Sequence, residues 1–198
     1  MGQDKALLPW PSVSEERLTL MERAAVVLDG ICPTVEIARG PRGGAPDPGR
    51  PVIHDVEAGA GPLAGLVAAL ERARELGAAG VIALACDMPL VERSEITPLL
   101  EAFAVSGDGS CDAAMWLVDG REQPLCAVYG VTCLPAARAA FEAGKRRLVA
   151  LFDPAATGGR AAVLNRLHPD EKTSVRLVNL NTMTDYDRVT RKLRPGGH

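Results

Sequence analysis

"GPLAGLVAALERARELGAAGVIALACDMPL", residues 61–90, carries two periodicities back to back. In its first half Leu63, Leu66, Val67 and Leu70 recur at helical spacing, with Pro62 in the first turn and Gly77 as a stop. That spacing predicts an amphipathic helix over 61–77. In its second half "GVIALACD" (80–87) is an unbroken apolar run of strand length, the pattern of a central strand covered on both faces. Met88-Pro89 ends the run, so Asp87 is predicted to emerge where the strand stops.

Outward from that segment the alternation continues. Residues 17–30, "RLTLMERAAVVLDG", set Leu18, Met21, Ala25 and Leu28 at helical spacing before Gly30, and "TVEIA" (34–38) reads as a short strand. "RGPRGGAPDPGRP" (39–51) is predicted to be a mobile loop, either an inserted surface loop or a binding lid. "PVIHD" (51–55) follows as a strand ending in Asp55. Downstream come a helix over 93–105, strands at 113–118 and 124–130, and helices at 134–143 and about 146–153. A last strand, "VRLVNLN" (175–181), leads into a helix through 184–193. The expected fold is α/β, a mostly parallel sheet with helices on both faces.

The 198 residues, 47% hydrophobic and 24% charged, suit one domain over 1–198. A net charge of -3 argues against a nucleic-acid or anionic-membrane surface, both of which need a basic field. The five cysteines form no CxxC pair and are odd in number, which suggests buried free thiols in a reducing compartment. There is no signal-peptide pattern and no apolar run of membrane-spanning length. A cytoplasmic protein is expected.

In a sheet of this kind ligands sit beyond the carboxyl ends of the strands. Asp87 is placed to anchor a hard cation such as Mg²⁺ against a nucleotide phosphate, or to cap the following turn. Asp55 repeats the arrangement ahead of "GAGPLAG", where Gly61 lets backbone approach a ligand at a helix N-terminus; tight helix packing is the alternative. Asn179 and Asn181, two apart in an extended segment, would face one side and read a base, a ribose or a phosphate, or else cap the next helix. Lys5 is a phosphate ligand or a solvated lysine.

"MGQDKALL", "GPLAG", "ACDMPLV", "QPLCAVY" and "NLNTMTDY", in this order, resemble the molybdenum cofactor guanylyltransferase family over essentially the whole chain. "CDMPLV" with "GPLAG" is shared with cytidylyl-transferring and sugar-phosphate relatives, whereas "NLNT" before an acidic helix start leans toward the guanylyl branch. The resemblance implies a three-layer α/β/α Rossmann-like nucleotidyltransferase fold and GMP transfer from GTP to the phosphate of molybdopterin, or of Mo-molybdopterin, with release of pyrophosphate. It implies that Asp87 holds Mg²⁺, that Lys5 offsets phosphate charge and that Asp55 lies near guanine or ribose. Gly61 would border the nucleotide. Gln123, Asn179 and Asn181 would face the pterin, with Arg146 and Arg147 adding positive charge for its phosphate or simply solvating a helix start. Molybdoenzyme acceptors or their chaperones are the implied downstream partners.

The family's pattern runs strand, then Leu-Ala-Gly-Gly-x-Ser-x-Arg, then Met-Gly-x-Asp-Lys, and this chain matches from Met1-Gly2 onward, with Asp4-Lys5 on the Asp-Lys pair. The resemblance thus implies a first strand and glycine-rich loop encoded upstream of Met1. Two other readings stay open at this point: a cytidylyltransferase acting on the same cofactor, and a non-catalytic protein that binds and delivers the cofactor.

Overall fold

Thr19 opens the first helix, α1 (Leu20–Asp29), with a capping box: its hydroxyl accepts the Glu22 amide at 3.2 Å while the Glu22 carboxylate accepts the Thr19 amide at 2.7 Å. The computed structural model describes residues 5–11, 18–39, 49–54, 61–105 and 111–193. After α1 come the short strands β1 (Ile37–Arg39) and β2 (Val52–His54), then α2 (Pro62–Glu75), β3 (Gly80–Leu84) and α3 (Arg93–Val105). A hairpin of β4 (Ala113–Val118) and β5 (Arg121–Gly130) leads into α4 (Leu134–Glu142). Then follow α5 (Pro154–Thr157), β6 (Leu164–Leu167), α6 (Glu171–Arg176) and α7 (Met183–Leu193).

β1 and β2 pair in parallel, and a second sheet has the order β3-β5-β4-β6. Within it β5 runs antiparallel to both neighbours, and β6 is parallel to β4. The α/β class stands, but the sheet is only partly parallel rather than mostly so. The physical reason is Asp119-Gly120, which joins β4 to β5 with φ of 48° and 72°. A two-residue turn with both φ positive makes a hairpin, and a hairpin is antiparallel.

Side chains alternate across this sheet. Met115, Ala127 and Tyr129 pack with Leu63, Leu66 and Leu70 of α2 and Ala137 and Ala140 of α4. Ala114, Trp116, Cys126 and Val128 pack on the other face with Ile96 and Leu99 of α3. The result is three layers, helix on sheet on helix. In β3, Val81 and Ala83 face the first cluster and Ile82 and Leu84 the second, so both faces are covered as the apolar run predicts. Among the described residues, however, β3 is an edge strand of its sheet. An apolar run reports covered faces and says nothing of neighbouring strands.

The C-terminal third departs from expectation. Residues 175–181 are not a strand: α6 runs to Arg176, and 177–181 are irregular. Asp170 caps α6 by accepting the Thr173 amide at 2.7 Å, which outcompetes the period-two pattern of "VRLVNLN". β6, which periodicity did not single out, supplies the last strand. In place of a helix at 146–153 there is a 3-10 segment, Leu148–Phe152. Most of the loop at 39–51 lies outside the described residues; at its end Arg50 pairs with Asp29 at 2.6 Å.

Glu22 and Asp185 each accept the amide of an N-cap threonine, Asp170 as an N-cap accepts the Thr173 amide, and those bonds hold the three carboxyls below the usual range. The folded state therefore releases protons that the unfolded chain keeps. The stabilisation is complete above the ordinary carboxylate range and is lost as pH falls through the lowered folded values. Thermal melts should thus show a falling Tm between about pH 5 and about pH 3. Asp170→Asn, which still caps but does not titrate, should flatten part of that fall; an unchanged slope would mean the cap contributes nothing.

Candidate active site

Asp87 is held by the turn that closes β3. The Ala85 amide still donates to Leu125 of β5 at 2.8 Å, and the Met88 amide folds back to the Ala85 carbonyl at 3.3 Å. Met88 and Val91 then bury themselves in the core, 2% and 1% exposed, so the turn cannot swing. The Asp87 carboxylate is left half-buried, and its Oδ1 is fully shielded with no hydrogen-bond partner among the described residues. A capping role accounts for one oxygen at most. Desolvation pushes the Asp87 carboxyl above its ordinary pKa, and the Lys5 charge opposes that rise.

Lys5 begins a short 3-10 segment, Lys5–Leu7. Its Nζ donates to the Leu180 carbonyl at 3.4 Å and to the Asn181 carbonyl. The Leu180 amide in turn donates to the Asp87 carbonyl at 2.7 Å. Leu180 itself is buried with Leu8, Trp10 and Leu20. The predicted pair of Lys5 and Asp87 is therefore brought together, and residues 180–181 are braced against both. An ammonium has three donors, so two carbonyls leave one for a ligand.

Asn179 and Asn181 lie in a loop, not on a strand, with the Asn181 amide donating to the Asn179 carbonyl at 3.2 Å around Leu180. Capping of α7 falls to Thr182, whose hydroxyl accepts the Asp185 amide at 3.1 Å while the Asp185 carboxylate accepts the Thr182 amide at 3.0 Å. Neither Asn side chain is needed for that task. Asn179 is half-buried and Asn181 exposed, beside the Lys5 and Asp87 braces.

The other predicted residues are more scattered. Gly61, at φ 78°, starts α2, and a Cβ there would meet Arg146 Cβ at 3.0 Å and its carbonyl oxygen at 3.1 Å. The Arg146 carbonyl also accepts the Leu63 amide at 3.2 Å, so close backbone packing accounts for this glycine. The Arg146 guanidinium stacks over Phe141 at 4.9 Å, and Arg147 is exposed. α2 runs back across β3, which puts Gly61 at the end of the sheet where Asp87 emerges. Gln123 lies on β5 just past the β3 pairing, which ends at Leu84 with Cys126, and its amide donates weakly to the Arg121 carbonyl at 3.5 Å. Asp55 lies outside the described residues.

A depression between the hairpin and α6 is not visible in the sequence pattern, which leaves 171–174 unassigned and gives the last two residues of α6 to a strand. Asp170 ahead of Glu171-Lys172-Thr173 is the cap signal that could have revealed it. Among the described residues no three His, Cys, Asp or Glu side chains cluster as a metal site. A hard cation at a phosphate needs less: one carboxylate, the phosphates and water suffice. The unpartnered Asp87 Oδ1 fits that requirement.

A model of the MobA-like NTP transferase domain matches residues 1–160. The chain belongs to this family. A Rhodobacter capsulatus relative named molybdenum cofactor guanylyltransferase is 31% identical over 201 residues, covering 98% of this chain and 90% of its own length. In structure the chain is similar to a molybdopterin-guanine dinucleotide biosynthesis protein A from Archaeoglobus fulgidus. That similarity has a TM-score of 0.69 and 21% identity, and covers 97% of this chain and 91% of the other. It is also similar to a Mycobacterium tuberculosis protein solved as a manganese complex, with a TM-score of 0.58 and 16% identity over 96% and 92% of the two chains. MobA-like membership makes the chain a nucleotidyltransferase of molybdenum cofactor biosynthesis. Among the described residues no helix is long and apolar enough to cross a membrane.

Proposed function

We propose that this chain transfers GMP from GTP to the phosphate of molybdopterin or Mo-molybdopterin. An acceptor phosphate oxygen would form the new bond to the α-phosphorus as the bond to the β-phosphate oxygen breaks, and pyrophosphate leaves. The observation that carries the reading is the shielded, unpartnered Asp87 Oδ1 beside Lys5, braced against residues 180–181, in a chain of this family. Such transfer depends on charge neutralisation and in-line positioning more than on covalent help.

Mg²⁺, held by Asp87, would supply neutralisation of the triphosphate. Lys5 directs its remaining donor toward phosphate oxygens while its other two fix the loop. Asn179 and Asn181 orient the acceptor from that loop, and Gln123 approaches it from β5. Asp55 and the Gly61 backbone serve the guanosine end. Arg146 and Arg147 add positive charge beside α2. The reaction is assigned to the cytoplasm, where the free thiols of Cys126 and Cys133 stay reduced. Molybdoenzymes or their chaperones would take the product from a single nucleotidyltransferase domain.

Calorimetry with GTP and CTP in Mg²⁺ tests the nucleotide, and pyrophosphate release with molybdopterin tests the transfer. GTP should bind at least about 10-fold tighter, since a site built around one base's hydrogen bonds leaves groups unpaired with the other. Equal binding of CTP would move the reading to cytidylyl transfer. Nucleotide binding without pyrophosphate release would support delivery instead.

A further inference from the structure

Pro124 interrupts β5 where the hairpin loses its register. Met115 of β4 faces Ala127, and the next pair is Leu117 with Glu122, so residues 123–126 of β5 stand opposite Trp116 alone. The extra chain is a bulge, and a residue without an N–H suits a bulge better than a ladder. On its other side β5 follows β3 as far as Cys126, opposite Leu84. Among the described residues Pro124 therefore has no register partner in either neighbouring strand.

Its carbonyl is taken by a side chain instead. The Tyr129 hydroxyl, five residues along the same strand, donates to the Pro124 carbonyl at 2.7 Å. Tyr129 is fully buried in the cluster beneath α2 and α4, and its ring stacks with Phe152 at 6.5 Å between centroids. Burial pushes its phenol above the ordinary value, so the hydroxyl keeps its proton and remains a donor.

The bulge leads to the reacting centre. The Leu125 carbonyl accepts the Ala85 amide at 2.8 Å, and the Ala85 carbonyl accepts the Met88 amide at 3.3 Å. Those two bonds bracket Asp87. A buried phenol thus fixes the bulge, the bulge fixes the end of β3, and the end of β3 sets where the Asp87 carboxylate stands. Re-aiming a side chain at an active site is a recurrent use of β-bulges.

We propose that Tyr129 is a positioning residue for the transfer, acting through Pro124 and Leu125 on the turn that carries Asp87. Fully buried, it touches no reacting atom. This rests on the transfer reading above, in which Asp87 anchors the cation.

The test is Tyr129→Phe, which keeps the ring and its stacking and removes one hydroxyl. Amide hydrogen exchange should quicken about 10-fold at Ala85 and Met88 relative to Val128, which lies in the intact ladder opposite Ile82. The kcat for GMP transfer should fall about 10-fold, because small misplacements of a positioned group are costly. Leu151→Val, which thins the same cluster and leaves the hydroxyl, is the control: its Tm should fall with kcat within about two-fold of wild type. In the Asp87→Asn background Tyr129→Phe should cost less than about three-fold more, since the group it places is already disabled. An unchanged kcat overturns the proposal, and so does exchange at Ala85 and Met88 that rises no more than at Val128. A full loss of about 10-fold in the Asp87→Asn background overturns it too, because the hydroxyl would then not act through Asp87. Wild-type protein that transfers no GMP would sink the transfer reading, and the exchange rates would then decide by themselves whether Tyr129 holds the turn.

Discussion

Asp87→Asn should cut GMP transfer by at least about 100-fold, the loss expected when charge stabilisation worth several kcal/mol is removed from a transferring phosphate. The fold should survive. Asn has the size of Asp, and Met88 and Val91, which anchor the turn, are untouched. Stability should hold or rise, and the sign follows from burial. Desolvation raises the folded-state pKa of Asp87, so the folded chain binds its proton more tightly than the unfolded chain does. Stability then falls as pH rises from the ordinary carboxylate value through the raised one, and the full cost persists at neutral pH. Asn removes that cost, though it leaves its own amide to be satisfied. Transfer assays in excess Mg²⁺ beside calorimetric melts decide the matter. Activity within about three-fold of wild type would make Asp87 a turn residue only.

This opposition between stability and activity distinguishes a functional carboxylate from the structural ones around it. Glu95 is buried, 2% exposed, yet it accepts the Glu92 amide at 2.9 Å and the Ser94 hydroxyl at 2.8 Å. Asp112 accepts the Val163 amide at 2.8 Å and Asp153 the Ala155 amide at 2.9 Å. Among the described residues Asp87 Oδ1 stands apart in having nothing to accept. An unpaired buried group costs about 1–3 kcal/mol, a cost that a bound cation would remove.

Sequence reading reached the helix over 61–77 and Asp87 because each rests on local pattern: a helical stripe, then an apolar run that stops. It reached β4 and β5 but not their direction, although Asp119-Gly120 between two strands is a hairpin signal. At 175–181 the alternation of "VRLVNLN" points to a strand, while the cap at Asp170, a few residues upstream, starts a helix that runs to Arg176. Local pattern could not show the meeting of Lys5 with Asn181, 176 residues apart, which depends on Leu8, Trp10, Leu20 and Leu180 forming one cluster. Motif order named those residues without showing that they touch.

Lys5→Met should also lower transfer by about 100-fold, since it removes the cation opposite the phosphates while keeping an apolar stem of similar length. A merely structural lysine would give a different pattern of stability. Lys5 lowers the pKa of Asp87, so without it that pKa rises further and the cost of the ionised carboxylate grows. In acid, where Asp87 is protonated, the variant loses only the bonds to the Leu180 and Asn181 carbonyls. At neutral pH it also bears the larger carboxylate cost, so the drop in Tm should widen as pH rises. Adding Asp87→Asn should close that widening, because the charge it depends on is gone. Melts of wild type, both single variants and the double variant across this range complete the cycle. A Tm difference independent of pH would show that Lys5 and Asp87 do not sense each other, and the site would lose its central pair.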